Sequence, residues 1–133
     1  MTSLVFDDRA CQLGEGPLWH PLRQQLFWFD ILGKRLLTQK ECVQSAWDFE
    51  DYVSAAGWVD ENTLLIASSK GLYRFDLTSG EKKLLCDLEA DNEVTRSNDG
   101  RADPQGGFWI GTMGLNAEDR AGAIYRLYKG ELR

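Results

Sequence analysis

The sequence predicts an all-β protein made of three propeller blades in series, and three observations carry that prediction. Helical periodicity is nearly absent along the 133 residues, whereas short apolar runs bounded by turn residues recur throughout. A strand–turn–strand unit occurs three times, with its anchors Trp19, Trp58 and Ala102 spaced 39 and 44 residues apart, the length of a four-stranded blade. The repeat also preserves turn position together with hydrophobicity. A β-sandwich, the competing architecture, gives no reason for its hairpins to match in both respects.

The first unit covers residues 13–50. A short strand runs from "GPLW" to Trp19, a turn spans His20–Gln25, "QQLFWFDI" (24–31) is the apolar second strand, and "KRLLTQK" (34–40) follows Gly33. In the second unit, 51–94, "SAAGW" closes at Trp58, Asp60–Asn62 turn the chain, and "TLLIASS" (63–69) and "GLYRFDL" (71–77) follow. After the turn "TSGEKK" comes "LLCDL" (84–88). The third unit, 95–133, opens on the polar run Arg96, Ser97, Asn98, Asp99, Gly100 and reaches Ala102. It turns at Asp103–Gly106, continues in "GGFWIGTM" (106–113), crosses a polar loop and returns in "GAIYRLYKG" (122–130). Leu36, Tyr73 and Tyr125 mark the third strand of each unit. Asn98-Asp99-Gly100 reads as a turn, Trp109 as core, and the "KGE" at 129–131 as a turn without a closing strand.

A blade cannot bury both of its faces alone, so blades stack. Three are fewer than the four or more that close a ring, which leaves an apolar face exposed at each end of the stack. The expectation is a half propeller completed either by self-association, as in a homodimer, or by a C-terminal half belonging to a longer chain.

Composition narrows the function. The chain is 43% hydrophobic and carries five Trp, so it has material for a core and is not a disordered segment. A net charge of -6 without a basic block argues against nucleic acid and anionic membrane as partners. No apolar run approaches a membrane span, and the N-terminus lacks the pattern of a secretory leader. Cys11, Cys42 and Cys86 are an odd set without paired spacing, and read as thiols of a reducing cytosol. The expected location is cytoplasmic.

His20 is the single histidine, which removes a histidine-cluster metal site; no G-x-S-x-G elbow or phosphate-binding glycine loop is present. What remains is carboxylate, amide and guanidinium chemistry. "LGEGP" (13–17) places Glu15 between two glycines, and "TRSNDG" (95–100) places Arg96 and Asn98 at the equivalent position of the third unit. First strands of propeller blades line the central channel, so these residues converge on its mouth. A carboxylate and an amide oxygen there suit a hard divalent cation, and a guanidinium suits a substrate oxygen. Each also has a plainer reading: Glu15 as a solvated loop acid, and Arg96 as the surface partner of Asp91 or Glu93.

"LGEGPLWHP…LFWFDI" with "RSNDGRADPQGGFWIGTM" resembles the SMP-30/gluconolactonase/luciferin-regenerating-enzyme family, over roughly residues 13 to 128. The resemblance implies six blades around one divalent cation, calcium or zinc, and hydrolysis of sugar-acid lactones. It makes Glu15 a metal ligand and Arg96 and Asn98 substrate contacts. An acidic substrate contact after "GTM" falls here on Asn116, with Glu118 two residues later. The other metal ligands and the water-activating Asp are expected in the C-terminal half, so no catalytic residue is assigned here. A non-catalytic half-propeller acting as a binding or interaction module is the alternative. An ester or organophosphate hydrolase on the same scaffold is a weaker third, because fold alone does not fix substrate.

Overall fold

A computed structural model describes residues 2–133. Twelve strands form three four-stranded antiparallel sheets, each ordered as the chain runs. The first holds β1 (Gly14–His20), β2 (Gln25–Asp30), β3 (Arg35–Lys40) and β4 (Val43–Asp48). The second holds β5 (Val53–Trp58), β6 (Thr63–Ser68), β7 (Gly71–Asp76) and β8 (Lys82–Asp87). The third holds β9 (Thr95–Ala102), β10 (Phe108–Gly114), β11 (Ile124–Tyr128) and β12 (Glu131–Leu132). The chain is all-β, a partial propeller.

Alternation along the strands decides which side chains enter the stack. In β2, Phe27 and Phe29 are fully buried between the first and second sheets, where they join Leu36, Leu64, Ile66 and Phe75. A second cluster, Ala55, Ala67, Leu72, Leu88, Phe108 and Ile110, fills the space between the second and third sheets. Burying each Phe or Leu contributes about 1.5–3 kcal/mol. The innermost strand β5 packs against both β1 and β9, and its sequence explains how. Ser54, Ala55, Ala56 and Gly57 are small enough for two neighbouring strands to approach at once, and all four are buried.

His20 ties the first two sheets together. Its ring is fully buried, Nδ1 accepts from the Arg23 amide at 3.3 Å, and Nε2 donates to the Asp60 carbonyl at 2.9 Å. That pattern is the neutral tautomer with hydrogen on Nε2. The "WHP" histidine is therefore an inter-sheet tie.

The structure departs from the sequence reading in four places. First, β9 is continuous: Asn98-Asp99-Gly100 lies within the strand as a bulge, where the register against β10 shifts between Ile110 and Thr112. A bulge and a turn draw on the same residue types. Second, Trp109 is not core. It lies on the outward face of β10, 46% exposed, and its indole N–H donates to Asp103 Oδ2 at 2.9 Å. Third, β12 follows the "KGE" turn and pairs with β11 through Leu127 and Tyr128.

Fourth, among the described residues only the third sheet leaves its outer face uncovered. Residues 6–13 lie across the outward side of the first sheet. Phe6 meets Trp28 edge-on at 6.2 Å, Arg9 sits over the same ring at 5.5 Å, and Arg9 donates to the carbonyls of Thr38 and Ser45. Leu37 is fully buried as a result. Asp30 fastens the far end of this strap: its carboxylate accepts from the amides of Gln12, Leu13 and Gly33 and from Arg35. Burial pushes the Asp30 carboxyl up, but these donors outweigh it and hold it below its ordinary value. On the opposite side, Trp109, Ile124, Arg126 and Tyr128 stay on the surface of the third sheet.

Candidate functional site

The innermost strands β1, β5 and β9 come together along a groove of about 350 Å³. It is lined by Gly16–Trp19 of β1, Ala55–Trp58 of β5 and Asp99–Ala102 of β9. Each of these strands breaks register near its start: between Glu15 and Leu18, between Val53 and Ala55, and opposite the Ile110–Thr112 shift. Bulges of this kind re-aim side chains at the rim of a sheet, and the residues at or beside them are Glu15, Ser54 and Asn98, which sit on the N-terminal side of the groove and do not line it.

Glu15 is exposed, is paired with Phe29 in β1–β2, and takes no side-chain hydrogen bond or ion pair among the described residues. Gly16, next to it, has φ +65°, and its Cα lies so close to β5 that an added Cβ would sit 2.3 Å from the Ser54 carbonyl oxygen. The two glycines around Glu15 thus have different reasons. Gly16 is required by a close approach in the left-handed region.

Arg96 is 7% exposed. Nη1 donates to the Ser97 carbonyl at 2.9 Å and to Asn98 Oδ1 at 3.2 Å. None of the ion pairs among the described residues includes Arg96, so Asp91 and Glu93 are not its partners. Nε and Nη2 have no partner among the described residues. No side-chain nitrogen there is both sealed from solvent and unpaired, so these two atoms reach solvent. Because Asn98 Oδ1 faces the guanidinium, the amide presents its NH2 as the free group. Asn98 is thereby turned to act as a donor.

Asn116 and Glu118 are exposed in the β10–β11 loop, where Glu118 accepts from the Asn116 amide and lies against Gly114. Gly114 pairs with Thr95 and Met113 with Arg96, so this loop sits at the Arg96 end of the third sheet. Glu89 braces the same end. Its carboxylate accepts from the hydroxyls of Thr95 (2.7 Å), Thr112 (2.8 Å) and Tyr125 (2.8 Å). Burial raises the Glu89 carboxyl, the three hydroxyl donors outweigh it, and the net shift is downward.

Two residues near the site escaped the sequence reading. Asp99 reads as a turn residue from sequence alone, whereas its exposed side chain borders the groove. Ser54 lies in an unremarkable small-residue run, and its donation to Ser97 Oγ at 2.8 Å joins residues 43 apart. No local pattern announces such a contact.

As a cation site the donor set is incomplete. Calcium takes six to eight oxygens and zinc four ligands. Glu15 offers one free carboxylate, Asn98 Oδ1 is engaged by a guanidinium, and no group of three His, Cys, Asp or Glu suited to a metal occurs among the described residues. The residues here do not by themselves form a cage for the ion.

Residues 13–132 match the family described as the SMP-30/Gluconolactonase/LRE-like region. A crystal structure of a calcium-binding protein, regucalcin, from Agrobacterium tumefaciens str. C58 superposes with a TM-score of 0.92 at 37% identity, covering 96% of this chain and 44% of that one. A 6-deoxy-6-sulfogluconolactonase of Pseudomonas putida is 31% identical over 117 residues, 86% of this chain and 40% of its own length. A pentonolactonase of Haloferax volcanii is 31% identical over 128 residues, 96% of this chain and 43% of its own length. The chain spans less than half the length of the curated relatives it matches.

Proposed function

Because the chain belongs to the SMP-30/gluconolactonase/LRE-like family, we propose that the starts of β1, β5 and β9 form the substrate side of a sugar-lactone hydrolase site, within the N-terminal half of a six-bladed propeller. The reaction adds water to the lactone carbonyl, breaks the ring C–O bond and releases a hydroxy acid. The observation that carries this reading is Arg96, a nearly buried cation with no carboxylate partner among the described residues. Its Nη1 is held by the Ser97 carbonyl and Asn98 Oδ1, which leaves Nε and Nη2 as oriented donors open to a ligand.

A lactone is such a ligand. Its carbonyl oxygen gains negative charge as water adds, and donors fixed in advance stabilise that charge without reorganising. Arg96 Nε and Nη2 and the Asn98 NH2 are donors of this kind, and Nη1 holds the two residues in one orientation. Asn116 and Glu118, in the loop at the same end of the third sheet, would contact ring hydroxyls. No residue of this chain is assigned the proton from the attacking water.

The family's divalent cation would polarise the carbonyl when bound. Glu15 is the ligand this chain would contribute, with further oxygens required from outside the described residues. Kinship with a 6-deoxy-6-sulfogluconolactonase and a pentonolactonase supports sugar-acid lactones as the substrate class.

The test is acid release from D-glucono-1,5-lactone, followed by pH-stat with and without calcium or zinc, for the six-bladed protein that carries this half and for its Arg96→Met variant. The expected result is cation-dependent release that falls about 10²–10³-fold in the variant. Equal rates in wild type and variant would reject Arg96 as the stabilising donor. No release above the uncatalysed rate, with the chain folded, would favour the binding-module reading.

A further inference from the structure

The second sheet contributes no side chain to the cation and substrate contacts proposed above, yet one of its residues touches both β1, which carries Glu15, and β9, which carries Arg96 and Asn98. Resting on the lactone-site reading for its functional meaning, we propose that Ser54 is the positioning residue of the site: its carbonyl seats Gly16 beside Glu15, and its hydroxyl holds Ser97 between Arg96 and Asn98.

The contacts form a chain. Ser54 Oγ and Ser97 Oγ are 2.8 Å apart, and both residues are essentially sealed from solvent, at 1% and 0% exposure. The Ser97 carbonyl in turn accepts from Arg96 Nη1, which also reaches Asn98 Oδ1. Fixing Ser97 therefore fixes the acceptor that aims the guanidinium. On the other side the Ser54 carbonyl lies where a Gly16 Cβ would be, so the β1 bulge beside Glu15 is built against the same residue.

Packing alone does not call for a hydroxyl at this position. The rest of the buried run is Ala55, Ala56 and Gly57, and alanine at 54 would fit the same space. A buried hydroxyl is kept without loss only where it is hydrogen-bonded. Here its one side-chain partner among the described residues is the serine between the two proposed substrate donors. The register break between Val53 and Ala55 turns Ser54 toward β9.

The experiment is ¹H–¹⁵N NMR of the 133-residue chain, reading the Arg96 Nε–Hε and Asn98 side-chain amide signals. The variants are Ser54→Ala, Ser97→Ala, the double variant, and Thr38→Ala as a buried-hydroxyl control in the first sheet. The expected result is displacement of both signals in Ser54→Ala and in Ser97→Ala. The double variant should move them no further than Ser97→Ala alone, the non-additivity of a shared contact. Thr38→Ala should leave them in place. Signals unmoved in Ser54→Ala, or moved equally by Thr38→Ala, would overturn the inference.

A second readout separates this inference from the function it rests on. If the six-bladed protein that carries this half hydrolyses D-glucono-1,5-lactone, Ser54→Ala is expected to lower kcat/KM about tenfold, and an unchanged kcat/KM counts against positioning. If the six-bladed protein that carries this half is inactive, the lactone-site reading fails, while the NMR comparison still decides whether Ser54 aims Arg96.

Discussion

The phenol of Tyr125 donates to Glu89 Oε2 at 2.8 Å, joining the loop that leaves the second sheet to the third strand of the next. The same carboxylate takes hydroxyls from Thr95 and Thr112. One side chain therefore spans β9, β10 and β11 at the end of the sheet that carries Arg96.

Glu89→Gln should move the Tyr125 phenol. Its hydrogen bond to Glu89 is the main reason that the phenol titrates above its ordinary value, with burial and the Glu89 charge adding to the effect. A group whose folded pKa is raised stabilises the fold below its unfolded value, near 10, and loses that contribution as pH climbs through the folded value. Removing the charge should bring the phenol's titration, followed by ultraviolet difference absorbance, closer to the ordinary tyrosine value. Glu89→Ala, which strands three hydroxyls, should destabilise by roughly 1–3 kcal/mol in urea unfolding.

Asp103 sets part of the acid limit. The Arg126 guanidinium, the Gly107 amide, the Trp109 indole and the Gln105 amide outweigh its slight burial and hold its carboxyl at about 2. Because the folded value is depressed, its contribution is complete above the ordinary carboxylate range and is lost as pH falls through about 2. Asp103→Asn should give a melting temperature that declines less steeply between about pH 4 and pH 2 than wild type does. Superimposable pH profiles would rule this out.

Gly16→Ala and Gly106→Ala make an informative pair. Both glycines have positive φ, +65° and +88°. A Cβ at Gly106 meets nothing within 4 Å, whereas one at Gly16 falls 2.3 Å from the Ser54 carbonyl oxygen. Gly106→Ala should therefore lose only the backbone cost, roughly 1 kcal/mol, while Gly16→Ala adds a steric clash and exceeds it clearly. Equal losses in chemical denaturation would mean that β1 can retreat from β5.

Glu15→Gln is expected to weaken divalent-cation binding in calorimetry while stability stays within about 0.5 kcal/mol of wild type. The side chain is exposed and has no protein partner among the described residues, so nothing in the fold depends on its charge. Equal cation affinity in the variant would remove Glu15 from the ligand set.

The blades were legible because their second strands are dense in aromatic and aliphatic residues and their turns are marked by Gly, Asp and Asn. Strand β4 was not, since "VQSAWD" is an edge strand whose residues are mostly exposed and carry no apolar alternation. The bulge in β9 passed for a turn because Asn, Asp and Gly serve both geometries. Trp109 passed for core because it lies between two apolar residues, whereas period-two alternation sends it outward while Phe108 and Ile110 go in. At the site, Glu15, Arg96 and Asn98 stood out through their repeat position. Ser54 could not, because its role exists only once β5 and β9 are side by side.

The strap of residues 6–13 gives the stack a polarity. One terminal sheet is capped by the chain's own Phe6 and Arg9, while the other keeps Trp109, Ile124 and Tyr128 on its surface. A sheet laid on the first blade would meet the strap before it met Leu37, whereas one laid on the third would meet Trp109, Ile124 and Tyr128 directly.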